Sequence, residues 1–301
     1  MNLTLVLNRK AGTLRGRDPD QVLRALVEIF RAHGHTVKPE IHAGHGAVAA
    51  ILRICEAKSC DALVVGGGDG TVSAAAAAAA KSGVALGILP LGTMNLFARS
   101  LGIPLDLAGA AEALATARME KVDIGVVNGR TFIHHVTLGL HPRLIRVRER
   151  LQYASRLGKL WGSMQAWWIV LRHPPRMAVR MLIDGRSVER RTAAIVITNN
   201  PLGEGHLPYA DDLRQGALGV YVATSRRWGD LLQLTARMIL GGVYATPLLE
   251  SWTAREVEIW PRTNSVSASV DGEITPLESP LRCSVRKGGL TVLRPGEAAG
   301  E

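Results

Sequence analysis

The sequence predicts an α/β N-terminal half built on a parallel sheet, followed by a mainly β half that reads as a sandwich. Three observations predict it. Up to about Lys121, short apolar runs alternate with segments of helical spacing, which implies parallel strands with helices on both faces. Beyond it, strand candidates follow one another, separated by turn pairs such as Asn128-Gly129 and Asp184-Gly185. The 301 residues, 47% hydrophobic and 21% charged, suffice for two ordinary domains with cores. The division falls between 1–125 and 126–301, with a helical insertion at 143–173 in the second part.

Leu3 to Leu7 reads as a buried strand, ending in the loop Asn8-Arg9-Lys10-Ala11-Gly12. Val22, Leu23, Leu26, Ile29 and Phe30 give Pro19 to His33 helical spacing. Thr36 to Ile41 is a second strand, ending in the loop His42 to Gly46, and Ala47 to Ala57 a second helix. A third strand, Ala62 to Val65, runs into Gly66-Gly67-Gly68-Asp69-Gly70-Thr71 and a helix carrying the alanines 74–80. Val84 to Leu89 is the fourth strand, ending at Pro90-Leu91-Gly92-Thr93-Met94-Asn95. Helices at Leu96 to Ser100 and Leu107 to Ala117 complete this half. Ligands of such sheets sit beyond the strand C-termini, so the loops at Asn8, His42, Gly66 and Gly92 share one edge.

The GGGDGT stretch organises that edge. Its glycines let the backbone turn sharply and approach a ligand. Thr71 suits a helix cap. A strand, a glycine turn and a helix start cradle phosphate, because amides and the helix dipole point at the anion. Asp69 repels phosphate unless a cation or a transferred proton intervenes, so it points to a magnesium nucleotide or to acid-base work. No Walker A lysine follows, and the Rossmann fingerprint is absent. Thr93 can donate to a phosphate, and Asn95 can orient either its loop or a nucleoside.

In the second half, strands are expected at Val122 to Val127, Thr131 to Thr137, Met177 to Ile183, Ala193 to Thr198, Gly219 to Ala223, Glu256 to Trp260, Val266 to Val270, Leu281 to Arg286 and Leu290 to Leu293. Helical spacing interrupts them at Arg143 to Leu171 and Trp228 to Leu240. The first of these carries Arg146, Arg148, Arg150, Arg156 and Lys159 beside Trp161, Trp167 and Trp168. It either packs on the sandwich or rests on an anionic bilayer, arginine at headgroups and tryptophan at the interface. Between Arg146 and Trp168, some of it is expected to touch membrane.

Lys plus Arg is 36 against 26 acids, a net charge of +10, which favours anionic partners. Aromatic content of 4% argues against a base-stacking nucleic-acid platform. Cys55, Cys60 and Cys283 form no CxxC, as expected of reduced thiols in a cytosolic protein. No signal-peptide layout and no apolar run of about 18 residues is present, so a membrane would be visited at its inner surface, not spanned. His134 and His135 are adjacent in a predicted strand and so face opposite sides. His42 and His45 are loop residues, either solvated or touching adenine or ribose.

Gly66 to Thr71, the run LPLGTMNLFARSLGIP (Leu89 to Pro104) and VDGE (Val270 to Glu273) together resemble the diacylglycerol kinase catalytic family, in particular its small bacterial soluble lipid kinases. The resemblance spans nearly the whole chain. It implies a nucleotide-binding α/β domain, a C-terminal β-sandwich, an active site in the cleft between them, and transfer of the ATP γ-phosphoryl group to a lipid hydroxyl, diacylglycerol foremost. It carries nucleotide binding onto Gly67, Gly68, Gly70, Thr71, Gly92, Thr93 and Asn95, with Asp69, Asn8 and His42 on the same edge. Glu273 becomes the base that accepts the hydroxyl proton, with Asp271 beside it and Asp69 as partner of the catalytic magnesium. Related kinases hold a structural magnesium with an Asp-Gly-x-Leu run. Here that run is Gln215-Gly216-Ala217-Leu218, whose amide is a weaker ligand for a hard cation, leaving Asp211 and Asp212 as substitutes. Two rivals stand beside the lipid kinase: an NAD kinase, which shares GGDGT, and a lipid- or nucleotide-sensing protein without turnover.

Overall fold

The computed structural model describes residues 1–150, 165, 167–170, 172, 174–206, 209–240, 242 and 246–296. Its elements run β1 (Asn2–Asn8), α1 (Pro19–Ala32), β2 (Thr36–His42), α2 (His45–Ala57), β3 (Ala62–Gly67), α3 (Asp69–Ser82), β4 (Ala85–Pro90), α4 (Leu96–Ser100), α5 (Leu107–Ala115), β5 (Arg118–Val127), β6 (Arg130–Phe132), β7 (His135–Gly139), α6 (Leu140–Arg150), β8 (Met177–Ile183), β9 (Arg186–Thr192), β10 (Ala194–Asn199), β11 (Leu218–Ala223), α7 (Trp228–Ile239), β12 (Leu249–Ala254), β13 (Glu256–Pro261), β14 (Ser265–Val270), β15 (Glu273–Glu278) and β16 (Leu281–Arg294).

The chain divides into two compact units. The first comprises Met1–Ile124, Asp212–Arg214 and Arg286–Glu301, the second Gly125–Asp211 and Gln215–Val285. The sequence reading put everything after 125 into one part. Two features account for the residues that return to the first unit. Gly288-Gly289 reads as a break between strands, yet β16 continues through it, with Gly288 at φ +56°, and Val292 pairs beside Leu86 of β4. Arg214 joins Arg294 on Glu120, at 3.1 and 2.9 Å.

In the first unit the parallel order is β2-β1-β3-β4. Every residue of β3 and β4 is buried, as expected of strands covered on both faces. Helix α1 starts at a sequence-legible cap: the Asp18 carboxylate accepts the Asp20 amide, and Pro19 opens the helix. It buries Leu26, Val27 and Phe30. The alanines of α3 have a packing purpose. Ala75, Ala76, Ala78 and Ala79 are buried, so the backbone lies close to its neighbours, and Gly83 ends the helix in the left-handed region.

The second unit is a sandwich. One sheet has the order β12-β11-β10-β7-β14-β15; the facing strands run β16-β13-β8-β9. Val136, Leu138, Ile195, Ile197 and Val220 of the first sheet pack against Val179, Met181, Val257, Ile259 and Leu281 of the second. Cys283 lies in this core, where burial pushes its thiol up to about 12. All three cysteines are free thiols.

Three tight hairpins follow one rule. Asn128-Gly129, Asp184-Gly185 and Asp271-Gly272 all have positive φ at both residues, the signature of a type I′ turn. In each, the leading side chain also holds a second segment. Asn128 Oδ1 accepts the Arg282 amide, Asp184 Oδ1 accepts the amides of Arg255 and Glu256, and the Asp271 carboxylate accepts those of Ile133, His134 and His135.

The strand expected at 131–137 is broken at 133–134, where these amides bend toward Asp271, so His134 lies outside β7 and the opposite-face expectation does not hold. His135 opens β7, its ring edge-to-face with His141 at 5.8 Å, and His141 Nδ1 sits 2.9 Å from Thr137 Oγ1. Burial pushes the His135 imidazole down to about 4, against the opposing pull of Asp271 and with help from His141 and His134. Burial pushes His141 down as well.

Of the expected 143–173 insertion, α6 and the helical residues at 165, 167–170 and 172 are described. Leu151, Arg156, Leu157, Lys159, Trp161, Met164 and Leu171 lie outside the described residues, as do the side chains of Arg148 and Arg150. No described helix is long and apolar enough to cross a membrane.

His135 yields a pH prediction. The unfolded chain takes up a proton near the ordinary value of 6.5, while the folded chain resists until about 4. Stability from this group is therefore present above 6.5 and falls as pH drops through that window, by on the order of 3 kcal/mol at most. The stability gap between wild type and His135→Gln, from denaturant unfolding, should narrow between about pH 7 and about pH 5. A gap of equal size at both pH values contradicts the assignment.

Candidate functional site: the carboxyl edge of the parallel sheet

The strand order locates a crevice before any side chain is considered. The chain leaves β1 for β2 on one side and leaves β3 for β4 on the other, so the connections diverge between β1 and β3. In doubly wound sheets ligands bind outside the carboxyl ends of the strands at that point. Asn8 ends β1 and Gly67 ends β3.

Asn8 ties this edge together. Its Oδ1 accepts the amides of Lys10 and Gly44 at 3.1 and 3.0 Å, and its Nδ2 donates to Thr71 Oγ1 at 3.0 Å. One buried side chain thus joins the loops after β1 and β2 to the first turn of α3. Thr71 is not the helix cap expected of it. The helix opens at Asp69 with Gly68 as its N-cap residue, and Thr71 lies inside the first turn, bonded to Asn8. Without a side-chain cap, the leading amides of α3 remain for a ligand. Gly67 is required sterically, because a Cβ there would come within 2.6 Å of Thr71 Cβ.

The second glycine loop is locked to the first. The Leu91 amide donates to the Gly67 carbonyl at 3.2 Å, and Thr13 donates to the Leu91 carbonyl through both its amide and its hydroxyl. Asn95, in the left-handed region at φ 49°, bonds Gly92 twice, its Oδ1 accepting the amide and its Nδ2 donating to the carbonyl. Asn95 therefore orients its own loop. Asp69 Oδ1 accepts the Leu96 amide at 3.2 Å. A Cβ on Gly92 would meet Gly68 Cα at 3.0 Å, Asn95 Oδ1 at 2.8 Å and Asp69 Oδ2 at 3.2 Å. Gly92 is glycine because its backbone lies against Gly68, whereas the first loop is held to glycine at Gly67 by Thr71; Thr93 and Gly70 are exposed beside the contact.

His42 sits across from Asn8 in the β1–β2 register, and its Nε2 lies 3.0 Å from Glu40 Oε2. Burial pushes the Glu40 carboxyl up, but hydrogen bonds from His42 and Arg53, with the charges of Arg53 and Lys38, outweigh it and hold it below its ordinary value. His42 is thus anchored at the edge. Sequence reasoning missed Lys10. Its side chain lies along Gly44, 3.7 Å from where a Cβ would stand, and it makes no ion pair among the described residues. Its signal was its place two residues after Asn8, in the loop of the first strand.

The second unit holds Asp271 and Glu273. The sequence reading grouped both with catalysis, and the structure separates them. Asp271 is buried and both its oxygens are taken by backbone amides, so it fixes the turn. Glu273, first residue of β15, is exposed, and its carboxylate makes no hydrogen bond or ion pair among the described residues. Among these residues no three His, Cys, Asp or Glu side chains converge as a metal site. Asp212 Oδ1 accepts from the Arg214 amide and lies 3.4 Å from its Nε, and Asp211 pairs with His206 at 2.7 Å. Each carboxylate offered for the structural magnesium thus has one oxygen in contact with a protein partner. A nucleotide-borne magnesium asks less of the protein, one carboxylate oxygen with phosphates supplying others, and Asp69 Oδ2 fits that requirement.

Comparison with known proteins matches residues 2–127 to the diacylglycerol kinase catalytic domain and residues 149–294 to the YegS C-terminal NAD kinase beta sandwich-like domain. The chain is 34% identical over 160 residues to "Probable lipid kinase YegS-like" of Cronobacter sakazakii (strain ATCC BAA-894), covering 49% of this chain and 53% of that protein. It is 35% identical over 143 residues to the protein of the same name from Klebsiella pneumoniae (strain 342), covering 46% of each. These matches span about half the length of either relative. The crystal structure of a Bacillus anthracis str. Sterne protein described as a diacylglycerol kinase superposes with a TM-score of 0.72 at 19% identity, covering 97% of this chain and 96% of that one, which shows a shared fold. With an α/β unit and a β-sandwich each matched by its own model, the chain belongs to the diacylglycerol kinase catalytic-domain family with a YegS-type C-terminal sandwich.

Proposed function

We propose that the protein is an ATP-dependent lipid kinase that transfers the γ-phosphoryl group to a lipid hydroxyl, diacylglycerol giving phosphatidic acid as the leading case. The observation that carries this reading is the pair of glycine loops locked together at the strand switch point, beside an uncapped helix start. Amides at the start of α3 and in the loop at Gly92 bind the phosphates, Lys10 offsets part of their charge, and Thr93 donates a hydroxyl hydrogen bond. Asp69 would hold a magnesium ion through Oδ2; that ion supplies charge neutralisation at the β- and γ-phosphates. The lipid oxygen attacks the γ-phosphorus in line, the bond to the bridging β–γ oxygen breaks, and the hydroxyl proton passes to Glu273. Asp271 acts through the backbone, fixing the turn that presents Glu273. Among the described residues no hydrogen bond competes for the Glu273 carboxylate, which leaves it to take that proton.

A second reading, phosphorylation of NAD, draws support from the similarity of residues 149–294 to an NAD kinase beta sandwich-like domain. The separating experiment incubates the protein with γ-labelled ATP and magnesium in parallel arms containing diacylglycerol, a sphingoid base or NAD. The lipid-kinase reading expects labelled phosphatidic acid and no labelled NADP. Label confined to NADP, or no transfer to any acceptor, contradicts it. Glu273→Gln should lower kcat by about 10²- to 10⁴-fold with the KM for ATP changed by less than about twofold. Gly92→Ala, which drives a methyl against Gly68 and Asn95, should raise the KM for ATP roughly tenfold, because about 1.4 kcal/mol of binding is a factor of ten. An unchanged KM would place the phosphates elsewhere.

A further inference from the structure

The second unit carries a basic, aromatic cleft that the proposed chemistry does not use. It has a volume of about 850 Å³ and is lined by Arg172, Arg176, Arg226 and Arg227, with Trp228 at the start of α7. None of the four arginines makes an ion pair among the described residues. The lining's single acid, Asp230, is hydrogen-bonded to the Ser225 hydroxyl. Trp168 and Trp228 meet edge-to-face at 6.2 Å beside the cleft, and the Arg172 guanidinium lies over the Trp168 ring at 4.6 Å. Both tryptophans are half exposed, at 52% and 53%.

The apolar surface around them is concentrated. Ten large apolar side chains are exposed among the described residues, and five of them, Trp168, Ile169, Trp228, Leu232 and Leu240, belong to α7, its end and the segment beside it. The inner faces of these elements are already satisfied. Leu231, Leu234 and Val170 are buried in one cluster, with Trp167 packed against it. Trp228 and Leu232 are one helical turn apart on the outer face. Helices that bury one apolar face and display a second, edged by arginines, suit a medium that is apolar within and anionic at its surface.

We infer that Trp168, Trp228 and the cleft arginines form the surface on which this protein docks to an anionic phospholipid bilayer, the tryptophans entering the interface and the arginines meeting headgroup phosphates. Its use, delivery of a membrane lipid to a kinase, rests on the lipid-kinase reading; the binding itself does not. Charge complementarity selects the occupant. Four arginines without an ion pair among the described residues, around exposed indole rings, match headgroups above acyl chains, and the net charge of +10 draws the whole chain to the same surface.

The test is co-sedimentation of the full chain, without ATP, with vesicles of phosphatidylcholine alone or mixed with phosphatidylglycerol. The proposal expects binding to the mixed vesicles, a blue shift of tryptophan emission on binding, and loss of binding at about 0.5 M salt. The double variant Arg226→Gln and Arg227→Gln should weaken partitioning roughly thirtyfold, from about 1 kcal/mol per basic residue at an anionic surface. Trp228→Ser should weaken it roughly tenfold, because about half the side chain is available to bury. Circular dichroism of both variants, altered only at exposed positions, should match wild type. Equal partitioning of wild type and both variants overturns the proposal, as does equal binding to neutral and anionic vesicles, and either result leaves the cleft to an acidic protein face. In a parallel arm, phosphoryl transfer to short-chain diacylglycerol in detergent should be unaffected by these variants. If wild type itself shows no transfer there, the kinase reading fails while the vesicle result still decides the docking surface.

Discussion

The side-chain amide of Asn8 is the interaction on which the candidate site depends. It lies where β1 ends, beside the strand pair at which the sheet's connections diverge. Three loops must converge there, and each brings backbone groups that strand and helix geometry leave unpaired. Asn8 meets one amide from its own loop, one from the loop after β2 and the hydroxyl inside the first turn of α3. An aspartate would keep the acceptor and lose the donor; a leucine would lose both. Residues 67–71 can stay open toward a ligand because Thr71 is held from beneath.

Glycine does the complementary work. Contact with the Gly68 backbone leaves no room for a side chain at Gly92, and Asp69 spans the same contact to reach the Leu96 amide. One carboxylate oxygen is thereby committed and the other remains for a cation. The second unit solves a similar problem with different residues. Its three type I′ turns use Asn or Asp to satisfy the turn and to hold a separate segment, and at Asp271 the neighbouring Glu273 carboxylate has no partner among the described residues. Two carboxylates two residues apart thus have different duties, one spent on structure and one open.

Much of this was legible in the sequence, for local reasons. Alternating apolar runs, caps such as Asp18 with Pro19, and the turn pairs Asn128-Gly129 and Asp271-Gly272 each have a near-neighbour cause. The missed strands had none. β9 reads RSVERRT, and five of its seven residues are exposed, which hides the alternation. β15 contains Pro276, a residue that punctuates strands when viewed alone. The strands expected at Leu281 to Arg286 and Leu290 to Leu293 are both present, but as one strand, β16, because Gly288-Gly289 is tolerated inside it. The roles of Thr71 and Asn95 depended on partners 63 and 3 residues away. Residue type showed that each could hydrogen-bond, while only the fold decided with what. His134 was misplaced for the same reason, since Asp271, 137 residues distant, bends the chain that sequence pattern extends.

The account stands most directly on where the nucleotide phosphates lie. Hydrogen–deuterium exchange of the full chain, with and without magnesium ATP, reads this amide by amide. Slowed exchange concentrated at 67–72 and 91–96 is the result the account predicts. Unchanged exchange in both stretches under saturating nucleotide, with protection appearing elsewhere in the chain, would contradict it.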